Sequence, residues 1–172
     1  AMPSARAARH CPQAVFLRPD FDRYRAVSRQ IHAILRRATT TIEPLSLDEA
    51  YLDVTDDALG CGSATAIAER LRHWIRTELQ LIASAGVGPN KLVAKIASDA
   101  DKPDGLCVVP PARVAAFLAP LPVRRIPGIG PKSAERLLRH GIDTVAALRR
   151  ADPALLRTCL GNRAEEFRRL AW

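Results

Sequence analysis

Residues 42 to 55, IEPLSLDEAYLDVT, contain acidic side chains among the apolar residues that are typical of a buried strand. The stretch holds four carboxylates: Glu43, Asp48, Glu49 and Asp53. If the whole stretch is one strand, side-chain alternation places Asp48 and Glu49 on opposite faces. They converge only where the chain turns or bulges beside them, which Pro44 and Ser46 just upstream favour.

A pair of converging carboxylates has a specific chemical meaning. The two charges repel and lose hydration, so the pair persists where a divalent cation compensates. Hard oxygen ligands favour Mg²⁺ or Mn²⁺, and the pair therefore predicts metal-assisted chemistry on phosphates. The alternative is an exposed edge strand or hairpin whose acids face water, and the spacing alone leaves both interpretations open.

The elements around the acidic stretch alternate between helix and strand. An apolar stripe predicts an amphipathic helix over 20–38, and a second helix follows the Gly-rich residues 60–63. A short apolar run predicts a strand over 81–88, a third helix covers 90–100, and GLCVV at 105–109 predicts a further strand. This order predicts an α+β fold, with a small mixed sheet and helices on one side.

The end of the chain differs from the rest in proline content and charge. Prolines at 110, 111, 120, 122 and 127 punctuate a helical, Arg-rich remainder, which places a domain boundary between about 110 and 122. Residues 122 to 172 hold eleven Lys and Arg against five Asp and Glu, +6 of the chain's net charge of +8. A basic region favours a polyanion such as nucleic acid. The alternative is a solvated, Arg-rich helical surface.

Composition excludes several classes of protein. With 48% hydrophobic residues, 172 residues are enough for one ordinary domain or two small ones. No apolar run approaches the roughly 18 residues of a membrane span. The opening AMPSARAARHCPQA lacks the apolar core of a signal peptide. Four scattered cysteines without a C-x-x-C pair predict reduced thiols, no zinc site and a cytoplasmic location.

Two motifs together resemble a known family. SLDEAYLD at 46–53, followed by AGVGPNKLVAKIASDADKPDG at 85–105, closely resembles the palm signatures of Y-family translesion DNA polymerases, and the resemblance extends over essentially the whole chain. It implies a partial polymerase palm followed by an all-α helix-hairpin-helix thumb. The implied division is a C-terminal remnant of the fingers at 1–25, the second half of the palm at 26–112 and the thumb at 113–172.

The resemblance also implies roles for individual residues. In that family three carboxylates hold two Mg²⁺ ions, for which Mn²⁺ can substitute. Asp48 and Glu49 match two of these catalytic ligands: Asp48 bridges both metals and Glu49 lies nearer the metal that activates the attacking hydroxyl. Lys102 matches the lysine that contacts the incoming nucleoside triphosphate, the alternative being an ordinary exposed turn lysine. Asp53 is expected to be structural, and Glu43 to face solvent.

A second candidate site lies in RIPGIGPKSAERLLRHGI at 125–142. Glycines let the backbone approach a phosphate, and the amides of a following helix N-terminus point towards it. The stretch resembles a helix-hairpin-helix, the module that grips duplex backbone. The expected DNA-binding residues are Gly128, Ile129, Gly130, Lys132 and Ser133, with Lys91 as a further candidate on the palm. The alternative is a glycine-capped helical hairpin without a ligand.

The function that the resemblance implies is DNA-directed DNA synthesis across lesions. The implied partners are primer-template DNA and deoxynucleoside triphosphate. A sliding clamp is a candidate partner of the full-length protein. The family's first metal-binding strand has no match in this chain. We therefore expect an internal piece that is inactive alone and exposes a sheet edge. The alternatives are a non-catalytic DNA-binding accessory protein on the same scaffold and a helix-hairpin-helix module of an unrelated repair protein, which leaves residues 42–105 unexplained.

Overall fold

Helices and three-residue strands alternate along the first two thirds of the chain, and helices alone form the last third. The computed structural model describes residues 2–171. No helix within this range is long and apolar enough to cross a membrane. The elements are α1 Ser4–His10, α2 Phe21–Leu35, β1 Ile42–Pro44, β2 Ala50–Leu52, α3 Ala64–Leu79, β3 Ala85–Val87, α4 Lys91–Ala100, β4 Leu106–Val108, α5 Val114–Leu118, α6 Pro131–Leu138, α7 Val145–Arg150, α8 Pro153–Leu160 and α9 Ala164–Leu170.

The acidic stretch forms a hairpin, so the chain turns as Pro44 and Ser46 favour and does not continue as one strand over 42–55. Strands β1 and β2 are antiparallel, and their register pairs Ile42 with Leu52, Glu43 with Tyr51 and Pro44 with Ala50. The N–H groups of Leu45 and Ser46 both donate to the carbonyl of Glu49, at 2.8 and 3.2 Å. These bonds close a reverse turn in place of a ladder, and the turn carries the two central carboxylates.

The other two strands form a separate, parallel pair. Strands β3 and β4 are joined through α4, with Ala85 opposite Leu106 and Val87 opposite Val108. Within residues 2–171 the strands form two two-stranded sheets and not the single small sheet that the sequence predicts. The predicted strand over 81–88 shortens because its first residues lie outside the ladder, and Ile82 is 60% exposed.

Helices α2 and α3 pack against the β1–β2 hairpin. Their buried residues form one apolar cluster: Ile34, Leu35, Ala38, Ile67, Leu71 and Ile75. The start of α3 is fixed by Ser63, whose Oγ accepts a hydrogen bond from the Ala66 N–H at 3.1 Å. The amphipathic helix predicted over 20–38 is confirmed in outline, but Tyr24 at its N-terminal end is exposed.

Helix α4 connects the palm-like region with the C-terminal helices. Its N-cap is Asn90, whose side chain accepts from the Val93 N–H at 2.9 Å. The buried face of α4 belongs to the same apolar cluster as the C-terminal helices, which includes Val93, Ile96, Ala97, Leu118, Leu137, Leu148, Leu156 and Phe167. The opposite face of α4, which lies outside this cluster, contacts the hairpin that carries the carboxylates.

Candidate active site and nucleic-acid interface

The turn between β1 and β2 positions the two central carboxylates. The Ser46 hydroxyl donates to Asp48 Oδ1 at 2.7 Å, and the Asp48 N–H lies 3.4 Å from the same hydroxyl oxygen. Asp48 is exposed and Glu49 is half-buried. Because both residues lie outside the strand ladder, the alternation that would send them to opposite faces does not apply.

Helix α4 brings positive charge to these carboxylates. Lys95 forms an ion pair with Glu49 Oε1, and Lys102 forms one with Asp99 Oδ1 at 2.6 Å. The hydrogen bond from Lys102 to Asp99 raises the pKa of that ammonium, as do the charges of Asp99, Glu49 and Asp48. Lys102 therefore lies within electrostatic reach of both carboxylates.

Asp99 is the centre of this charge network. The hydrogen bond from Lys102 lowers the pKa of the Asp99 carboxyl, and the charges of Lys102, Lys95 and Arg125 lower it further. Lys95 and Asp99 are one turn apart on α4, and Lys102 follows shortly after the helix ends, so they share one side of the helix. The carboxylate of Asp99 is therefore the ion-pair partner of Lys102 in this structure.

The turn that carries Lys102 is anchored from α3. Arg72 Nε donates to the Ala83 carbonyl at 2.9 Å, and its Nη2 donates to both the carbonyl and Oδ1 of Asp104, at 2.6 and 3.0 Å. Arg76 pairs with the other oxygen of Asp104. Asp104 has a φ of +53°, a left-handed conformation that these contacts stabilise. Sequence reasoning missed this anchor, whose only local signal is two arginines one turn apart on α3.

The donor set at the turn fits a divalent cation in part. Magnesium in proteins is often held by one or two carboxylates, and substrate phosphates and water complete its coordination. Asp48 and Glu49 supply such a pair, and the ammonium groups beside them show that the site favours positive charge. Within residues 2–171, no group of three or more Asp, Glu, His or Cys side chains is placed to hold a metal ion.

The other two acids of the stretch have different surroundings. Glu43 is exposed and forms an ion pair with Lys91, whose Nζ also lies 5.8 Å from the centre of the Tyr51 ring. Asp53 accepts hydrogen bonds from the Thr55 hydroxyl at 2.7 Å and the Thr55 N–H at 3.0 Å. These bonds lower the pKa of Asp53. Lys91, a candidate DNA contact by sequence, therefore braces the hairpin in this structure.

The loop before α6 holds the predicted phosphate-binding glycines. Gly128 has a φ of +93°, which favours glycine, and Gly130 is the N-cap of α6 with a φ of −75°. Ile129 is buried, and its N–H donates to the Ile126 carbonyl at 3.1 Å. Of the three amides expected to bind phosphate, the Ile129 amide is thus already used within the loop. Lys132 is exposed in the first turn of α6.

Two side chains of this region differ from what their local pattern indicates. Leu138 follows the buried Leu137 but is 61% exposed, because it lies on the outer face of α6. Arg149 ends an apolar helix beside Arg150, yet its side chain donates to the carbonyls of Ala171 and Ala115 and so ties α7 to its neighbours. Burial lowers the pKa of Arg149.

The fold is that of the palm and thumb of Y-family DNA polymerases. A crystal structure of DinB from Sulfolobus solfataricus matches with a TM-score of 0.90 and 32% identity, over 99% of this chain and 50% of that one. The insertion ternary complex of Dbh DNA polymerase matches with a TM-score of 0.90 and 34% identity, again over 99% and 50%. These matches confirm the predicted α+β class and the helical C-terminal region.

The chain belongs to the impB/mucB/samB family, whose model matches residues 1–99, and residues 121–166 match the SAM-like helix-hairpin-helix tandem. It is 58% identical over 164 residues to DNA polymerase IV of Halorhodospira halophila, which is 95% of this chain and 46% of that protein. It is 59% identical over 149 residues to DNA polymerase IV of Xanthomonas campestris, 87% of this chain and 42% of that one. The chain thus spans about half the length of the curated relatives it matches.

Proposed function

We propose that this chain is the palm-and-thumb part of a translesion DNA polymerase, acting on primer-template DNA and deoxynucleoside triphosphates. The observation that carries the proposal is the β1–β2 turn, which carries Asp48 and Glu49 beside helix α4, where Lys95 pairs with Glu49. The relatives named DNA polymerase IV support the proposal, because two carboxylates and a lysine suit a triphosphate substrate with its metal ions. The proposed division keeps the fingers remnant at 1–25, the palm at 26–112 and the thumb at 113–172.

The proposed chemistry assigns one task to each residue. Asp48 and Glu49 hold Mg²⁺, or Mn²⁺ in its place. When bound, the metal ions stabilise charge on the triphosphate and make the primer hydroxyl a better nucleophile. Lys95 holds Glu49 by one carboxylate oxygen and so limits its rotation. Lys102 exchanges Asp99 for a triphosphate oxygen, a role that suits a flexible point charge.

The proposed DNA grip is the loop at 126–130 with the start of α6. No atom lies within 4 Å of the position that a Cβ on Gly130 would occupy, so the backbone there is accessible to a phosphate. The remaining candidates, Gly128, Lys132 and Ser133, surround the same helix N-terminus, whose partial positive charge favours an anion. Because the proposed substrate is DNA, we place the protein in the cytoplasm, and a sliding clamp stays a candidate partner.

The DNA grip can be tested on the 172-residue chain itself. We expect salt-steep binding to a fluorescent primer-template duplex, and we expect Gly130→Val to raise Kd by about tenfold or more, since each lost hydrogen bond to a charged group costs about 1.5–3 kcal/mol. A Cβ at Gly130 meets no atom within 4 Å, so the variant should fold normally. Ala154→Val, at an exposed position of α8, is the matched control. Equal affinity of Gly130→Val and the unmutated chain would contradict the proposed grip.

The role of Lys102 can be tested through the residue that holds it. In a chimera that carries this chain in place of the matching segment of Halorhodospira halophila DNA polymerase IV, we expect Asp99→Asn to lower KM for the incoming nucleotide about threefold. The Asp99 carboxylate competes with the triphosphate for Lys102, and its negative charge also repels the triphosphate. Removing that charge therefore lowers KM through both effects. Asp101→Asn removes a neighbouring exposed charge as the control. A raised KM in Asp99→Asn would show that Asp99 positions Lys102 and does not compete for it.

A further inference from the structure

An arginine from the far end of the thumb lies against the glycine loop. A Cβ placed on Gly128 would lie 3.0 Å from both Nη1 and Nη2 of Arg163. Arg163 ends the short 3₁₀ turn Gly161–Arg163, which joins α8 to α9. The side chain of Arg163 therefore occupies the space that any residue other than glycine would fill at position 128.

Two contacts fix the orientation of this guanidinium. Its Nε and Nη2 donate to the two carboxylate oxygens of Glu166 at 2.8 and 3.0 Å, which is a bidentate pair. Its central carbon lies 4.4 Å from the centre of the Phe167 ring, and Phe167 is buried. The hydrogen bond to Glu166 raises the pKa of Arg163, so the group remains a cation. The Nη1 group is not used in the pair with Glu166, and it is one of the two that face Gly128.

We propose that Arg163 belongs to the DNA-binding surface and contributes the cation that binds one backbone phosphate together with the 126–130 loop. The inference rests on the proposed function and extends it, because it adds a residue from the second helical hairpin to the phosphate site of the first. The loop alone offers amides, of which that of Ile129 is already bonded. A charged, preorientated donor beside Gly128 supplies the attraction that the amides lack. Glu166 reduces the net charge, but it binds Nε and Nη2 and leaves Nη1 out of the pair.

The experiment measures binding of the 172-residue chain to a fluorescent primer-template duplex over a salt series. We expect Arg163→Ala to raise Kd about tenfold at low salt and to reduce the slope of log affinity against log salt by about 1, since one phosphate contact is lost. Arg139→Ala is the matched control. Arg139 also pairs with a glutamate, Glu135, at 2.6 Å, so both variants lose one charge and one surface ion pair. Unlike Arg163, Arg139 lies at the end of α6.

Glu166→Gln separates a phosphate contact from a purely structural role. If Arg163 binds phosphate, removing the competing carboxylate strengthens DNA binding, whereas if Arg163 only supports the loop, the same change weakens it. Equal affinities and salt slopes for Arg163→Ala and Arg139→Ala, with steep salt dependence in the unmutated chain, would overturn the inference and leave the proposed function intact. If the unmutated chain shows no salt-dependent binding, the proposed function fails and the inference with it.

Discussion

Replacing Asp48 by Asn in the polymerase chimera is expected to lower kcat for primer extension by about a thousandfold or more, equivalent to about 4 kcal/mol of transition-state stabilisation. Asn has the same shape, and its amide oxygen can still accept the hydrogen bond that the Ser46 hydroxyl now donates to Oδ1 at 2.7 Å. Asp48 is exposed, so its replacement does not disturb the core. The loss is therefore one of charge at the proposed metal-binding position, and single-nucleotide incorporation with Mg²⁺ measures it.

Glu43→Gln provides the control on the same hairpin. Glu43 lies on β1, outside the turn, and its partner is Lys91. We expect its incorporation rate to stay within about twofold of the unmutated chimera, since exposed ion pairs contribute about 0.2–1 kcal/mol to stability. Incorporation by Asp48→Asn within tenfold of the unmutated chimera would exclude Asp48 as a catalytic metal ligand. An unmutated chimera that folds and binds duplex but incorporates nothing would favour the non-catalytic accessory protein.

The position of Asp48 and Glu49 shows what local sequence can and cannot predict. Pro44 and Ser46 indicate a turn, because proline has no N–H to donate to a ladder and serine bonds to nearby backbone. Alternating apolar residues favour a continuous strand over the same stretch, and nothing local decides between the two. The pairing of β1 with β2 forms the hairpin and places the two carboxylates in its turn. Periodicity alone therefore left the geometry of the two carboxylates open.

The charged partners of the site could not be predicted in the same way. Lys95 meets Glu49, and Arg72 meets Asp104, only because helices α3 and α4 pack against strands that are distant in sequence. A lysine or arginine on a helix surface has the same local pattern whether it is solvated or paired. Arg149 shows the same limit, since its exposed pattern on α7 is overridden by acceptors on α5 and at the end of α9.

Gly86→Ala is expected to destabilise the chain more than any surface substitution. Gly86 lies in β3, and a Cβ at this position would overlap the carbonyl oxygen of Ala94 and the nitrogen of Ser98, which are both backbone atoms of α4. A flexible side chain could move aside, but the helix backbone cannot without separating from the strand. We expect the free energy of unfolding to fall by about 3 kcal/mol or more, the upper range for overpacked cores, and urea unfolding of the 172-residue chain measures it.

Gly130→Ala is the matched control, because its added methyl group meets no atom within 4 Å and its φ is −75°. Such a substitution is expected to change stability by less than about 1 kcal/mol, because the lower entropy of the unfolded chain and the weaker N-cap preference of alanine oppose each other. Equal stability of Gly86→Ala and Gly130→Ala would show that α4 does not pack directly on β3. If Gly86→Ala unfolds as expected, the close packing of α4 on β3 also accounts for the site, because the same helix holds Lys95 against Glu49 and Asp99 beside Lys102. Displacing α4 would then disperse the charges that the proposed chemistry requires.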